Sequence, residues 1–251
     1  MSRDNRAELS AGPAEGLPPW TVATTGQRIL AVDFSIEELI NLRQQAAAAL
    51  RVRPVVRHVK SGAIIPTWAY GRLSDSDIES VDRATVEFAR RLRPADMEGQ
   101  LPLILPQSFR TAASRRGRAS LGLATDGAAK AMKNRIIIEL TEVDRGTPSA
   151  RLNEVCNLLS GACKGVFVRL APGRDAITPV REVRPQGLSL DAGDIPGADS
   201  YVASTLLEIG EQAQGRASLL IAQGLSSDGF FAVAEVAGFS HVSLRCEVGP
   251  D

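Results

Sequence analysis

Arg135-Ile136-Ile137-Ile138-Glu139-Leu140-Thr141-Glu142 decides how this chain folds. A short apolar run bounded by polar residues reads as a strand buried on both faces. It delivers carboxylates at its carboxyl end, where parallel α/β barrels present their chemistry. Strand patterns recur around it at 101–105, 165–170, 187–190, 217–222 and 241–245. Helical patterns separate them, one carrying Leu152, Val155 and Leu159, another Val202, Leu206, Ile209 and Ala213. Repeated strand–helix alternation implies parallel strands joined by right-handed crossovers.

Working towards the amino end, Ile78, Val81, Thr85, Phe88 and Leu92 mark one face of a helix that Pro94 ends. Before it, the runs 52–59 and 63–70 flank Lys60-Ser61-Gly62 and read as a hairpin. Ser35 and Glu38 have capping-box spacing, and Ile36, Leu39, Ile40, Ala47 and Leu50 follow at helical intervals, so this segment is expected to be a helix. Residues 21–33 add a short strand. The hairpin and the six later strands make eight, which fits a closed barrel. An open doubly wound sheet competes, but no Gly-rich phosphate loop follows any strand. Residues 1–30 are expected to form a flexible N-terminal tail, and 31–251 a barrel domain.

The chain has 251 residues, 44% hydrophobic and 23% charged, enough for one large α/β domain. Lys+Arg and Asp+Glu both number 29. A balanced charge argues against a protein that grips a nucleic acid polymer through its phosphates. Cys156, Cys163 and Cys246 form no regular framework and suggest a reducing compartment. With only His58 and His241, a histidine-rich metal site is excluded. No apolar run is long enough to span a membrane, and the first ten residues lack the apolar core of a secretory signal, so a cytoplasmic protein is expected.

Several stretches resemble, in order, the motifs of the bacterial EAL domain, the phosphodiesterase that hydrolyses cyclic di-GMP. Val52-Arg53-Pro54-Val55-Val56 resembles its opening "YQPIV", and Trp68-Ala69-Tyr70-Gly71-Arg72 stands where "EALLR" is expected. Pro106 and Phe109 fit the segment after "VNLS", and Glu139-Leu140-Thr141-Glu142 matches "ELTE". Leu188-Ser189-Leu190-Asp191 resembles the end of "LPVDYLKID", and Ala222-Gln223-Gly224-Leu225 stands at "AEGV". The resemblance covers roughly residues 35 to 245. It implies a (β/α)8 TIM-barrel variant that opens with an antiparallel strand pair and is trimmed after the second strand, between Arg72 and Ile78.

The family's hydrolysis needs Mg²⁺ or Mn²⁺, hard cations held by several oxygens. Carried over by position, most of those oxygens are gone. Trp68 replaces the first glutamate, Leu103 the asparagine, and Val168 and Arg169 the aspartate pair. Ser189 replaces the lysine, Gln223 the late glutamate and Ser243 the late glutamine, leaving Glu139, with Asp191 beside the lost lysine. The resemblance therefore implies a barrel without metal, cofactor or catalytic residues. It implies a regulatory protein acting in bacterial signalling through a protein partner, with a homodimer left open. Arg53, Arg72, Glu139 and Asp191 are the candidate ligand contacts if the chain instead receives cyclic di-GMP without cleaving it. A re-purposed acid–base site using Glu139, Glu142 and Arg169 is a third reading. Trp68 either fills the vacated metal space or belongs to a partner surface. The apolar segment from Phe230 to Val236 points to contact with another element or subunit.

Overall fold

The computed structural model describes residues 20–23, 29–91, 101–119, 135–173 and 175–246. Its framework is one sheet closed on itself. The long strands β2 (Ile29–Asn41) and β3 (Ala46–His58) pair antiparallel. The shorter strands β5 (Leu103–Ser108), β6 (Ile136–Thr141), β7 (Gly165–Arg169), β8 (Gly187–Asp191), β9 (Leu219–Leu225) and β10 (His241–Leu244) run parallel to β3 in succession. Because β10 also pairs with β2, these eight strands form a ring. Two short strands, β1 (Trp20–Ala23) and β4 (Ile64–Ile65), extend the sheet outside the ring beside β2 and β3. This is the expected eight-stranded α/β barrel opening with an antiparallel pair. The sheet reaches back to Trp20, inside the stretch 1–30 expected as a tail.

The opening pair differs from the sequence-based expectation. The segment with the Ser35–Glu38 capping box is not a helix: it spans β2, a turn and the start of β3. Asn41 makes that turn, accepting from Gln44 N through its side chain and from Gln45 N through its carbonyl, and Gln45 takes φ 51°. The turn contains neither Gly nor Pro, so nothing in its sequence advertised it. Helical propensity loses here to ring closure. As strands, the segment sends Ser35, Glu37 and Leu39 inward, while β2 satisfies β3 on one edge and β10 on the other. The expected hairpin partner 63–70 shrinks to β4 followed by a 3₁₀ turn at Thr67–Arg72.

Alternation along each strand divides the apolar residues into two layers. Leu39, Ala49, Ile104, Ile137, Phe167 and Ile221 pack together inside the ring and plug its lower half. Gly187 makes room for this plug, since a Cβ there would come 2.6 Å from the Phe167 ring. The opposite strand faces carry Leu103, Leu105, Leu140, Val168, Leu188, Leu190 and Ala222 into the layer beneath the helices. Those helices are α1 (Asp75–Arg91), α2 (Phe109–Ala113), α3 (Ser149–Ser160), α4 (Asp199–Ala213) and α5 (Phe231–Val236). Of the apolar segment read at the last of these, Phe230 and Ala234 are buried while Val236 is exposed.

β2 and β3 outrun the other strands and stand beyond the carboxyl ends of the parallel ones. Their outer face is covered by α1, whose Phe88 ring stacks on Phe34 at 4.4 Å between centroids. Both rings are buried. Truncating such a ring leaves a cavity, and Phe88→Ala is expected to lose about 3–5 kcal/mol of unfolding free energy. Urea denaturation followed by circular dichroism measures it; a loss far smaller would mean that the α1–β2 contact is not part of the core.

Candidate functional site

The carboxyl ends of the parallel strands bring polar side chains to one place above the apolar plug. The alternation that buries Ile137 inside the ring places Glu139 inside it too, one step nearer the mouth. By the same rule Phe167 is followed by Arg169, Ile221 by Gln223, and Ala49 by Arg51 and Arg53. Glu37 faces inward from β2, with Ser189 and Asp191 from β8 and Ser243 from β10. Gly224 keeps this rim tight. It takes φ 63°, and a Cβ on it would lie 2.7 Å from Asp191 Oδ1.

Arg51 is the hub, with its guanidinium fully buried. It donates to Glu37 Oε2 and to Asp191 Oδ2, both at 2.9 Å, and its Nε lies 3.7 Å from Glu139 Oε2. Arg169 donates to Glu139 Oε2 at 2.6 Å and lies 3.8 Å from Asp191. Arg53 donates to Glu37 Oε1 at 3.1 Å. Neutral donors take further lone pairs. Ser189 Oγ and Gln223 Nε2 reach Glu139 Oε1 at 2.6 and 2.7 Å, and Gly193 N reaches Asp191 Oδ1 at 2.9 Å. Three buried carboxylates thus face three guanidiniums.

The charge states follow. Burial alone would raise the pKa of Glu139, but Arg169 and Arg51 outweigh it and hold the group below the ordinary glutamate value. Asp191 behaves alike: burial opposes ionisation, and Arg51 and Arg169 more than reverse it. Burial would depress Arg51, yet Glu139, Asp191 and Glu37 raise it further above its usual range. Glu139 is therefore ionised near neutral pH, with both its oxygens already accepting hydrogen bonds. Asp194, near Arg169 and bonded by Thr67, shifts upward through burial and the charge of Asp191.

A divalent cation does not fit this arrangement. The oxygens of Glu37, Glu139 and Asp191 that would ligate it already accept from guanidiniums, and two buried positive charges stand where it would sit. Among the described residues no group of three or more His, Cys, Asp or Glu side chains is arranged to hold a metal ion.

Of the residues singled out in the sequence, Glu139, Asp191, Arg169, Ser189, Gln223 and Arg53 converge here, and Ser243 reaches Glu37 Oε2 at 3.4 Å. Arg72 does not: it is exposed, its guanidinium 5.3 Å above the Trp68 ring. Trp68 is 60% exposed, so it does not fill a vacated interior site. Leu103 faces the helices rather than the interior, and Pro106 is the β5 residue paired beside Glu139. Val168 likewise points outward. These two placements fail because an unbroken apolar run does not reveal which of its alternate residues face inward. The helical reading of 35–50 hides Glu37, and Arg51 falls between that helix and the strand read from Val52. In period-two register, Ser35-Glu37-Leu39 against Ala49-Arg51-Arg53 would have shown them.

Above the network lies a cleft of 290 Å³ bordered by Arg53, Tyr70, Asp82, Pro106, Arg169 and Asp194. Asp82, on α1, is buried, and both its carboxyl oxygens lie 3.2 Å from Ser108 N. Burial pushes its pKa up to about 7, with the charge of Glu142 adding to the rise. Glu142 itself adopts φ 57° and accepts from Ser108 Oγ and Arg110. It turns towards Arg110 rather than joining Glu139 in an acid–base pair.

No family model and no curated protein sequence matches the chain. Solved structures do match. A Klebsiella pneumoniae protein, BlrP1 in complex with manganese and cyclic di-GMP, aligns at TM-score 0.62 and 13% identity over 91% of this chain. The Bacillus subtilis protein YkuI, which has an EAL domain and is complexed with cyclic di-GMP and calcium, aligns at TM-score 0.63 and 13% identity over 87% of this chain. This chain spans 57% of the length of each. A standalone EAL protein from Vibrio cholerae O395, bound to cyclic di-GMP, aligns at TM-score 0.62 and 14% identity, covering 85% of this chain and 89% of that one. The fold is that of EAL domains.

Two outcomes follow from the charges. Arg51→Met removes the 2.9 Å partner of both Glu37 and Asp191 and one of the two arginines facing Glu139, and is expected to cost about 3–5 kcal/mol in chemical denaturation. The network's contribution also depends on pH. Glu139 and Asp191 have depressed folded-state pKa values, so their stabilisation is complete above the unfolded value of about 4 and fades as pH falls through the lower folded values. Asp82 has the opposite sign. Raised to about 7, it binds a proton more tightly in the fold, so it opposes stability progressively between its unfolded value of about 4 and pH 7. Asp82→Asn keeps an acceptor for Ser108 N and is expected to raise the melting temperature at pH 8 but not at pH 4. Equal effects at both pH values would contradict the shift.

Proposed function

We propose that this barrel with the EAL fold is a non-catalytic regulatory protein of bacterial cyclic di-GMP signalling, working in the cytoplasm through contact with a protein partner. One observation carries the reading: at the mouth, guanidiniums neutralise the carboxylates that would otherwise recruit a divalent cation. Without that cation nothing lowers the pKa of an attacking water or offsets the charge of a phosphodiester. Among the described residues no helix is long and apolar enough to cross a membrane.

The surface around the mouth supports a protein partner. Trp68 is exposed on the 3₁₀ turn, and Ile29, Val59 and Ile64 are exposed on one face of the projecting strands. Trp is favoured at interface centres, and exposed aliphatics that share one strand face make a candidate contact patch.

A second reading, a cyclic di-GMP receptor that does not hydrolyse its ligand, has the cleft in its favour. Arg53 and Arg169 lie at its base, and the three solved structures above carry that ligand in similar barrels. Its weakness is that both guanidiniums are already paired and the cleft is at the small end for a ligand site.

Two measurements on the purified chain separate these readings. With Mn²⁺ or Mg²⁺ present, cyclic di-GMP is expected to remain intact; turnover abolished by Glu139→Gln would sink the non-catalytic reading. Calorimetric titration with cyclic di-GMP is expected to give no saturable heat. Saturable binding lost in Arg53→Ala would favour the receptor.

A further inference from the structure

The end of the barrel opposite the mouth holds a second cavity, of 550 Å³. It opens between α3, the amino ends of β7 and β8, and the turn before β9. Its charged lining is Lys164, Arg184 and Arg216, and among the described residues no Asp or Glu contributes to it. Chain-wide the charges balance at 29 of each sign, so three cations without an acid around one hollow is a local bias. Among the described residues none of the three lies within ion-pair distance of a carboxylate. Arg216 spends one donor on the Arg181 carbonyl at 3.3 Å.

The rest of the lining is polar in a specific way. Asn153, Asn157 and Ser160 project from α3, and Gln186 and Ser218 from the loops facing it. Gln186 is fixed by its backbone: its N–H donates to Val166 O at 3.1 Å, and its carbonyl accepts from Leu219 N at 3.2 Å. Its side-chain amide lies over Gly165, where a Cβ would come 1.6 Å from Gln186 Oε1. Glycine at 165 is thus what lets the amide lie against the strand end. Val166, Val183 and Pro185 supply a small apolar wall.

We propose that this hollow binds a small soluble phosphate ester of mononucleotide size. Two planar guanidinium forks and an ammonium suit a phosphate's charge and its several acceptor oxygens. The amides of Asn153, Asn157 and Gln186 and the Ser218 hydroxyl add neutral polar groups, while Ser160 Oγ donates to Cys156 O at 2.8 Å, and the apolar wall accommodates a flat organic body. The volume is much larger than a bare phosphate needs and falls within the range of small-molecule sites. The polar lining argues against a wholly apolar ligand. The site is independent of the mouth, so its fate does not depend on the role proposed for that end.

Calorimetry on the full chain with GMP, guanosine, pyrophosphate and anionic phospholipid vesicles tests this. GMP is expected to bind saturably and more weakly at higher salt, pyrophosphate more weakly than GMP, and guanosine not at all. Arg184→Ala with Arg216→Ala, both exposed positions, should weaken GMP by about tenfold or more at an unchanged melting temperature. Gly165→Ala, which displaces Gln186, should weaken it as well, whereas Arg53→Ala at the mouth should not. The proposal is overturned if guanosine binds as well as GMP or if the double variant binds GMP like the parent. It is equally overturned if binding follows Arg53, or if the protein sediments with vesicles but takes up no GMP.

Discussion

Arg51 sits where the whole upper half of the barrel has to be neutralised. Three carboxylates from three strands point into an interior closed below by an apolar plug. Leaving them ionised without partners would be prohibitive, and protonating all three would leave poor hydrogen bonding. A guanidinium spreads its charge over a planar fork with several donors, so one side chain serves Glu37 and Asp191 while facing Glu139. Arg169 and Arg53 complete the balance from the neighbouring strands. Such clusters add little net stability over an apolar core, but losing one partner is costly.

The same constraint separates this barrel chemically from one that holds a metal. A divalent cation needs oxygens with free lone pairs at a shared point. Here the oxygens share a region, yet arginine nitrogens occupy the point. The positive charge is supplied by the chain itself, on guanidiniums paired with the carboxylates. The barrel keeps the shape of its fold while the buried charges at its mouth are paired with one another, and Trp68 is among its exposed apolar side chains.

Much of the architecture was legible because the strand around Glu139 and the alternation after it are written in strong apolar periodicity. The opening pair was not. Leu39, Ile40, Ala47 and Leu50 satisfy a helical spacing by coincidence, and the Asn41–Gln45 turn has no glycine or proline to break it. The cost of that misreading fell on the site: Glu37 and Arg51, its acid and its hub, lie on those two strands. Glu139 and Asp191 are identifiable from their places at strand ends, and Arg169 from the family resemblance. What the sequence left out was their relation. A lone surviving carboxylate among lost ligands reads as decay, whereas the folded chain surrounds it with matched partners. Residues such as Leu103 and Trp68 carried no sign of direction, since linear position alone says nothing of which face a side chain takes.

The most direct test asks whether the mouth has any use for a cation. Mn²⁺ titrated into the purified protein and followed by electron paramagnetic resonance reports free and bound ion separately. The account predicts the signal of free Mn²⁺ throughout, unchanged by Glu139→Gln. Stoichiometric binding that Glu139→Gln removes would contradict it, because the buried carboxylates would then be answering to a metal and not to Arg51.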